Sequence, residues 1–570
     1  MKKRVLALVS LLLVVAMALT ACSSGTSTTG TATTTTESTT NSSTTQDVTN
    51  SNAQAGITQG EVKKASNQVN SITICNNYGA YDVTPFATPT GGRSMQELLW
   101  AKLIYLPTLG CSLEDSEMWL AKKVERVDEL TANVELYEGI HDRLGNAITA
   151  EDILWSYEMS KIYGECVETG NVWGSVDILD DTHMVFKINS PGVNKLETMI
   201  GHLRLTVCDK DWYESCPNTD AMRANAASTG AYYVSEWEEG SLCVLEAVED
   251  YWKAEELRIA PEIQNVKTIR YPVVAEAAVR AASVEAGELD VANLDANAVK
   301  TFYNNGNVID GFTVTPVKST MGYNVFINMD VEKNTLVANN QKLRQALLYA
   351  VDADSMRRAA GYDDNSSYSM CDFACSVFSG MNPEWENTYY KYDPEKARAL
   401  LAEAGYPDGI TGVRWLYKIE TNSAAVAAFI EGMRNAGIEL ELVGVDGALY
   451  NSYKFDSTCY DITLDWKGGS TLIDWWTGLF NPDGYDNWGV NFCSDAKFHE
   501  LLQKVSATGS EEDINAFHDY CVELALGRGC YTFSSFYVAQ DGIESLAFNQ
   551  NNNPQPGNYT YAADYKSVED

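Results

Sequence analysis

Hydrophobic and polar positions divide the chain into three stretches of different pattern. Behind Lys2, Lys3 and Arg4, the residues from Val5 to Leu19 are apolar with one interruption, at Ser10. From Ser23 to Asn50, 19 of 28 residues are Ser or Thr, and Val48 is the only larger aliphatic. From about Val69 short β-rich runs alternate with helical ones, the pattern of a mixed α/β body. Ser71–Cys75, Val124–Val127 and Met184–Ile188 read as strands. Thr149 followed by Ala150-Glu151-Asp152-Ile153 predicts a helix start, with a capping hydroxyl and acidic residues at the positive end of the helix dipole. Asp393-Pro394-Glu395-Lys396 predicts another, with a capping Asp, Pro in the first turn, an Ala/Leu interior and Gly405 at the far end. No segment repeats at a fixed period.

The first stretch is a charged start followed by an apolar run too short for a membrane span, which is the form of a signal peptide. It ends in Leu19-Thr20-Ala21-Cys22, which resembles a bacterial lipobox. That resemblance implies cleavage before Cys22 and lipidation of its thiol, so residues 1–21 are expected to be removed. The Ser/Thr-rich stretch cannot bury enough apolar surface to offset its chain entropy, so residues 22–65 are expected to form a solvated tether. A lipid and a spacer of this length suit a Gram-positive-type cell surface, at the outer face of the cytoplasmic membrane, better than a periplasm.

Composition narrows the partners. The chain has 570 residues, 41 Lys+Arg and 78 Asp+Glu, a formal net charge of −37 that becomes −40 without the three basic residues of the leader. Nucleic-acid affinity comes mainly from Lys and Arg neutralising phosphates, so no nucleic-acid partner is expected. Beside Cys22 there are 12 cysteines; an even number outside the cytoplasm permits disulfides, with Cys371/Cys375, Cys208/Cys216 and Cys521/Cys530 the nearest pairs. His141, His183, His202, His499 and His518 are scattered, with none beside a Cys pair, so neither a metal nor another cofactor is expected. The G-x-S-x-G, phosphate-loop and dinucleotide motifs are absent, leaving an extracellular hydrolase without a recognisable nucleophile and base. A structural or adhesive surface protein would be better served by repeats.

Six motifs then occur in one order. They are Gly145-Asn146-Ala147-Ile148-Thr149-Ala150-Glu151-Asp152-Ile153; Thr229-Gly230-Ala231-Tyr232; Trp237 and Gly240 leading to Asp250-Tyr251-Trp252; Gly287-Glu288-Leu289-Asp290-Val291-Ala292; Leu343-Arg344-Gln345-Ala346-Leu347-Leu348-Tyr349-Ala350-Val351-Asp352; and Tyr392-Asp393-Pro394-Glu395-Lys396-Ala397. Together they resemble the peptide/nickel-type extracellular solute-binding proteins, family 5, the receptors of ABC importers. The resemblance implies an α/β, two-lobed periplasmic-binding-protein (flytrap) fold with mixed sheets and two hinge crossings. Lobe I is expected at 66–316 with a returning tail at 536–570, lobe II at 317–535, and the crossings near Thr315–Met321 and Phe533–Tyr537. It further implies a monomer that is not an enzyme, takes a small-molecule solute (a peptide, or a short oligosaccharide) and delivers it to an ABC transporter permease. Nickel and haem fit less well with five dispersed histidines.

The solute site is expected around Asp465-Trp466-Lys467-Gly468-Gly469-Ser470-Thr471-Leu472-Ile473-Asp474-Trp475-Trp476. Peptide-binding members of the family carry, after a Trp-Gly stretch, an Asp that pairs with the ligand's α-ammonium; here Gly469 falls at that place, and Asp474 is the acid nearest to replacing it. Trp466, Trp475, Trp476 and Trp488 offer aromatic faces to sugar rings or apolar side chains, or else pack the core. Tyr323 and Asn324 begin a strand-like run after the first crossing and are further candidates; Asn328 in the same run either reaches the ligand or ties backbone together.

Overall fold

The expected Ser71–Cys75 and Met184–Ile188 lie in the strands Val69–Cys75 and His183–Ile188, and the expected Val124–Val127 overlaps Ala121–Arg126. Thr131–Leu136 and His183–Ile188 bury every second residue, which lines one face of a sheet and leaves the other to water. The computed structural model describes residues 68–75, 83–86, 93–108, 110–163, 167–224, 226–364, 366–367, 370, 382, 384–385, 389–467, 472, 476, 492–550 and 552–569. Cys22, the leader, the Ser/Thr-rich stretch and the Cys371/Cys375 pair lie outside the described residues.

One ten-stranded mixed sheet runs through both lobes. From edge to edge its order is Ile438–Val445, Ile410–Lys418, Ile462–Lys467, Phe312–Ile327, Gly527–Gln540, Val291–Leu294, Val69–Cys75, Val266–Pro272, Leu242–Ala247 and Tyr232–Glu238. Ile410–Lys418 is parallel to both of its neighbours, and so is Val69–Cys75. The two longest strands, Phe312–Ile327 and Gly527–Gln540, are paired antiparallel at the centre and serve three hydrophobic cores, one of them holding Phe536 and Val538 with Phe302 and Leu294. Val317, Tyr537 and Ala539 belong to a core built with Ile72, Leu98, Trp100 and Ile269, whereas Val325, Phe326, Cys530 and Tyr531 belong to one built with Leu347, Trp415, Phe429 and Phe517. Between the cores Thr315 pairs with Tyr537, Pro316 with Phe536, Val317 with Ser535 and Lys318 with Ser534, and the register shifts before Gly322. The two segments expected as crossings pair with each other as one ribbon, with a register shift between Lys318 and Gly322; bulges are where paired strands bend.

A second sheet takes up two of the expected strands, Val124–Val127 and Met184–Ile188, in an order that the sequence did not announce. Ala121–Arg126, Thr131–Leu136, His183–Ile188 and Trp173–Asp180 pair antiparallel in that order over a separate core of Trp119, Val134, Ile153, Phe186 and Met199.

The six motifs are fasteners of this fold. Asp152 accepts the Thr149 backbone N–H at 2.9 Å and its hydroxyl at 2.8 Å, closing the start of the helix Ala150–Ile162. Thr229 accepts the Ala101 N–H at 3.0 Å, and a side chain at Gly230 would run into the Leu98 carbonyl. Tyr251 and Lys253 close on the buried Glu262, as described below. Asp290 is fully buried and receives four donors. Arg344 donates to the carbonyls of Leu524, Val337 and Ala338, where a helix and its neighbour end. Asp393 accepts the Lys396 N–H at 2.9 Å at the start of Pro394–Glu403, and Gly405 takes the left-handed conformation (φ +101°) that stops it. Replacing Asp393 with Ala should cost about 1 kcal/mol in equilibrium unfolding; a loss below about 0.3 kcal/mol would mean the cap is redundant.

Cys111, Cys208, Cys216, Cys243 and Cys459 are free thiols. The spacing of Cys208 and Cys216 therefore does not mark a bridge: the helix Lys210–Ser215 separates them, and Cys208 is fully buried beside Ser156. Burial pushes the Cys243 thiol up to about 12.

Candidate functional site

The parallel strands Ile410–Lys418 and Ile438–Val445 end level, Lys418 pairing with Val445, and Ile462–Lys467, in which Thr463 pairs with Leu416, runs two residues beyond them. The carboxyl ends of such strands are where open α/β sheets bind ligands. Here that edge lies against the ribbon between the lobes. Tyr323 on the ribbon pairs with Trp466 on one side and Tyr531 on the other.

An aromatic wall follows from that register. Along Ile462–Lys467 the period of two puts Leu464 and Trp466 on one face. Leu464 enters the core, while Trp466, past the core's rim, is 40 % exposed. Its ring meets Phe533 edge-on at 6.4 Å, and Phe533 lies 5.8 Å from Tyr323. Tyr531 lies 5.4 Å from Tyr323 and 6.2 Å from Tyr362, which packs against cores of both lobes. Burial, with Tyr323 and Asp295 adding to it, pushes the Tyr362 hydroxyl up to about 12. Burial also raises Tyr323, Asp465 raises it further, and a hydrogen bond with Thr421 partly offsets both.

Beside the wall is a compact charge cluster. Asp465 accepts the Trp466 backbone N–H at 3.0 Å, and its two oxygens lie 3.5 Å from Lys418 Nζ and 3.7 Å from Lys454 Nζ. Lys418 Nζ also stands 4.8 Å from the Tyr450 ring and 5.8 Å from the Trp466 ring.

Of the residues singled out from the sequence, the structure brings Tyr323 and Trp466 together at this edge. Asn324 is fully buried, and its Nδ2 donates to the Gly322 carbonyl at 2.9 Å. Asn328 ties backbone: Nδ2 donates to the carbonyls of Ser457 and Tyr460, and Oδ1 accepts the Asp330 N–H. Trp476 is buried in the second lobe's core, 5.0 Å from Phe517 and 5.9 Å from Trp385. Gly469, Asp474, Trp475 and Trp488 lie outside the described residues. Sequence reasoning missed Lys418, Lys454, Tyr362 and Phe533. Asp465 stood in the stretch under scrutiny, but its partners are 47 and 11 residues away and meet it only through the strand pairing.

Residues 116–491 match the family model described as bacterial extracellular solute-binding proteins, family 5 Middle. The chain belongs to that family. Its members are solute-binding proteins, and relatives within it are named for peptides. The oligopeptide-binding protein AppA of Bacillus subtilis (strain 168) is 23% identical over 450 residues, 73% of this chain and 77% of its own length. The dipeptide-binding protein of Escherichia coli (strain K12) is 22% identical over 387 residues, 63% of this chain and 68% of its own. The solved structure of Bacillus subtilis AppA with a nonapeptide superposes with a TM-score of 0.65 at 16% identity, covering 87% of this chain and 99% of that one. The family 5 fold, two-lobed with mixed sheets, is the fold described above.

Proposed function

We propose that this chain is the lipid-anchored receptor of an ABC importer, capturing an oligopeptide between its lobes and delivering it to a membrane permease. The observation that carries this reading is the exposed Trp466, set in an aromatic wall at the carboxyl ends of parallel strands and beside the ribbon joining the lobes. Relatives named for oligopeptides and dipeptides support the solute class. The lobes are taken as 66–316 with 536–570, and 317–535; the change of core along the two long strands, with Val317 still in the first core and Val325 in the second, supports a boundary close to these residues. Cys22 would hold the body at the outer face of the cytoplasmic membrane through the tether, raising its effective concentration near the permease. Closure then follows from differential affinity: the solute favours the closed form by the contacts it makes better there than in the open one.

A short oligosaccharide is the second reading, favoured by the exposed face of Trp466, which suits a sugar ring as well as an apolar side chain. Melting of the chain from residue 60 onward against peptide and oligosaccharide libraries separates the two. A true solute raises the melting temperature through RT ln(1 + [L]/Kd). Hits confined to sugars would replace the peptide reading. For the solute that scores, Trp466→Ala should weaken binding by about tenfold or more in calorimetry. Its ligand-free melting temperature should change little, because the ring is not part of the core. Unchanged affinity would remove Trp466 from the site.

A further inference from the structure

We propose that the lobes meet a second time, away from the ribbon, in a clasp made by Gly192 and Lys195 of the first lobe and the Ser506 carbonyl of the second, and that this clasp sets how tightly a solute is held. The inference rests on the receptor reading above, which supplies the closing motion, and adds the place where that motion stops.

Space, and not backbone conformation, demands a glycine at position 192. Gly192 takes no positive φ, so any side chain could adopt its backbone. A Cβ built there would stand 2.6 Å from Lys195 Cε and 3.0 Å from the Ser506 oxygen. The lysine stem can swing aside. The carbonyl belongs to the helix Ala496–Thr508 and cannot yield without it. That helix is anchored by Phe498, Leu502 and Val505 in the second lobe's core. Gly192 leads into the helix Lys195–Gly201, whose Leu196, Met199 and Ile200 fill the core under the second sheet. Each side of the contact is therefore fixed to a different body.

Its position makes this contact a stop. Neither Gly192 nor Ser506 lies on the ribbon, and no ribbon residue belongs to the core under the second sheet. The approach of Gly361 to Asn297 differs, because there Tyr362 packs on Tyr531 of the ribbon and against cores of both lobes. Bending at the ribbon leaves that neighbourhood nearly fixed and moves parts that lie off it, so lobes that swing apart lose the contact of Gly192 with Ser506. A side chain at position 192 is then harmless in the open form and obstructs the closed one.

Charge acts at the same point. Ser506 is in the last turn of its helix, where the carbonyls carry the negative end of the dipole. The Lys195 ammonium is one bond beyond Cε and donates to Ser190 Oγ at 2.8 Å. Burial lowers its affinity for its proton, so the charge is partly withdrawn from water where it faces the helix end.

The test takes the hexapeptide or oligosaccharide that most raises the melting temperature of the chain from residue 60 onward, and follows its binding by calorimetry and stopped flow. Gly192→Val should weaken binding by about tenfold or more, since affinity falls with the fraction of chain able to close. The loss should appear as faster release, with association within about threefold of wild type. The ligand-free melting temperature should stay within about 2 °C. Gly192→Ala should fall between the two, and adding Lys195→Ala to it should not restore affinity, because the carbonyl remains. Lys195→Met alone should weaken binding by about threefold. Two different hits should lose by the same factor, since the clasp touches neither. Affinity unchanged by Gly192→Val or by Lys195→Met, recovery on removal of the lysine stem, or a separate factor for each hit would overturn the clasp while leaving a receptor. So would a fall in the ligand-free melting temperature of Gly192→Val beyond about 5 °C, which would place the contact in the resting fold. Absence of any hit would overturn the receptor reading and this inference with it.

Discussion

Lys253→Met should destabilise the chain by about 3–5 kcal/mol, because it strands a buried carboxylate. Lys253 and Glu262 are 1 % and 0 % exposed and meet at 2.8 Å. The lysine's other protons go to the carbonyls of Met118 at 2.8 Å and Trp119 at 3.0 Å, and Glu262 also takes the Tyr251 hydroxyl and the Ile259 N–H. The loss should depend on pH in a definite direction. Burial holds Glu262 above its ordinary value of 4.5, against the pull of Lys253, and removing the ammonium raises it further. A carboxyl raised in the folded state contributes stability below its unfolded value and loses it as pH rises through the folded one. The deficit should therefore be smallest near pH 4.5 and grow toward neutrality. Replacing both partners with Met should recover most of the loss. A single variant within about 1 kcal/mol of wild type in urea unfolding would show that the pair is not desolvated in solution.

Asp290→Ala should cost a similar amount, about 3–5 kcal/mol, by leaving four donors without an acceptor in the interior. Asp290 Oδ2 accepts the Thr73 N–H and the Ser567 hydroxyl, each at 2.7 Å, and Oδ1 accepts the Val568 N–H at 3.0 Å and the Tyr565 hydroxyl. Three of these donors lie near the C-terminus, so one carboxylate pins the last residues of the chain to the start of the interior strand Val291–Leu294. Loss of the acid should free that tail, and limited proteolysis should trim it before the rest of the chain is cut. Asp290→Asn keeps one acceptor oxygen and should fall between Ala and wild type. An Ala variant with an intact tail and a loss under about 1 kcal/mol would contradict this role.

What could be read in the sequence was what is decided within a few residues. Thr149 with Asp152, and Asp393 with Lys396, are contacts over three positions, so the letters alone place both helix starts. The six motifs were legible for a related reason: each completes a fastening the fold cannot omit. Gly230 abuts a carbonyl, Asp290 gathers four donors, and Tyr251 satisfies a buried acid. They identify the family because they hold the scaffold, and so they say little about what the scaffold grips. The solute edge depends instead on which strands lie side by side. Trp466 and Trp476 are ten positions apart in one Trp-rich stretch, yet one stands exposed past the rim of the core and the other fills the core. Nothing local distinguishes them. Lys418 joins Asp465 only through the parallel pairing of Trp415 with Ile462 and Leu416 with Thr463.

The central claim is that this chain binds a solute and gives it back unaltered. Native mass spectrometry of the chain from residue 60 onward, mixed with the compound that most raises its melting temperature, tests this most directly. The expected result is a complex of one chain with one ligand, whose mass increment equals that of the intact compound and whose release returns it unchanged. Cleaved or modified compound would mean an enzyme, and no saturable complex would mean that the wall around Trp466 is not a solute site.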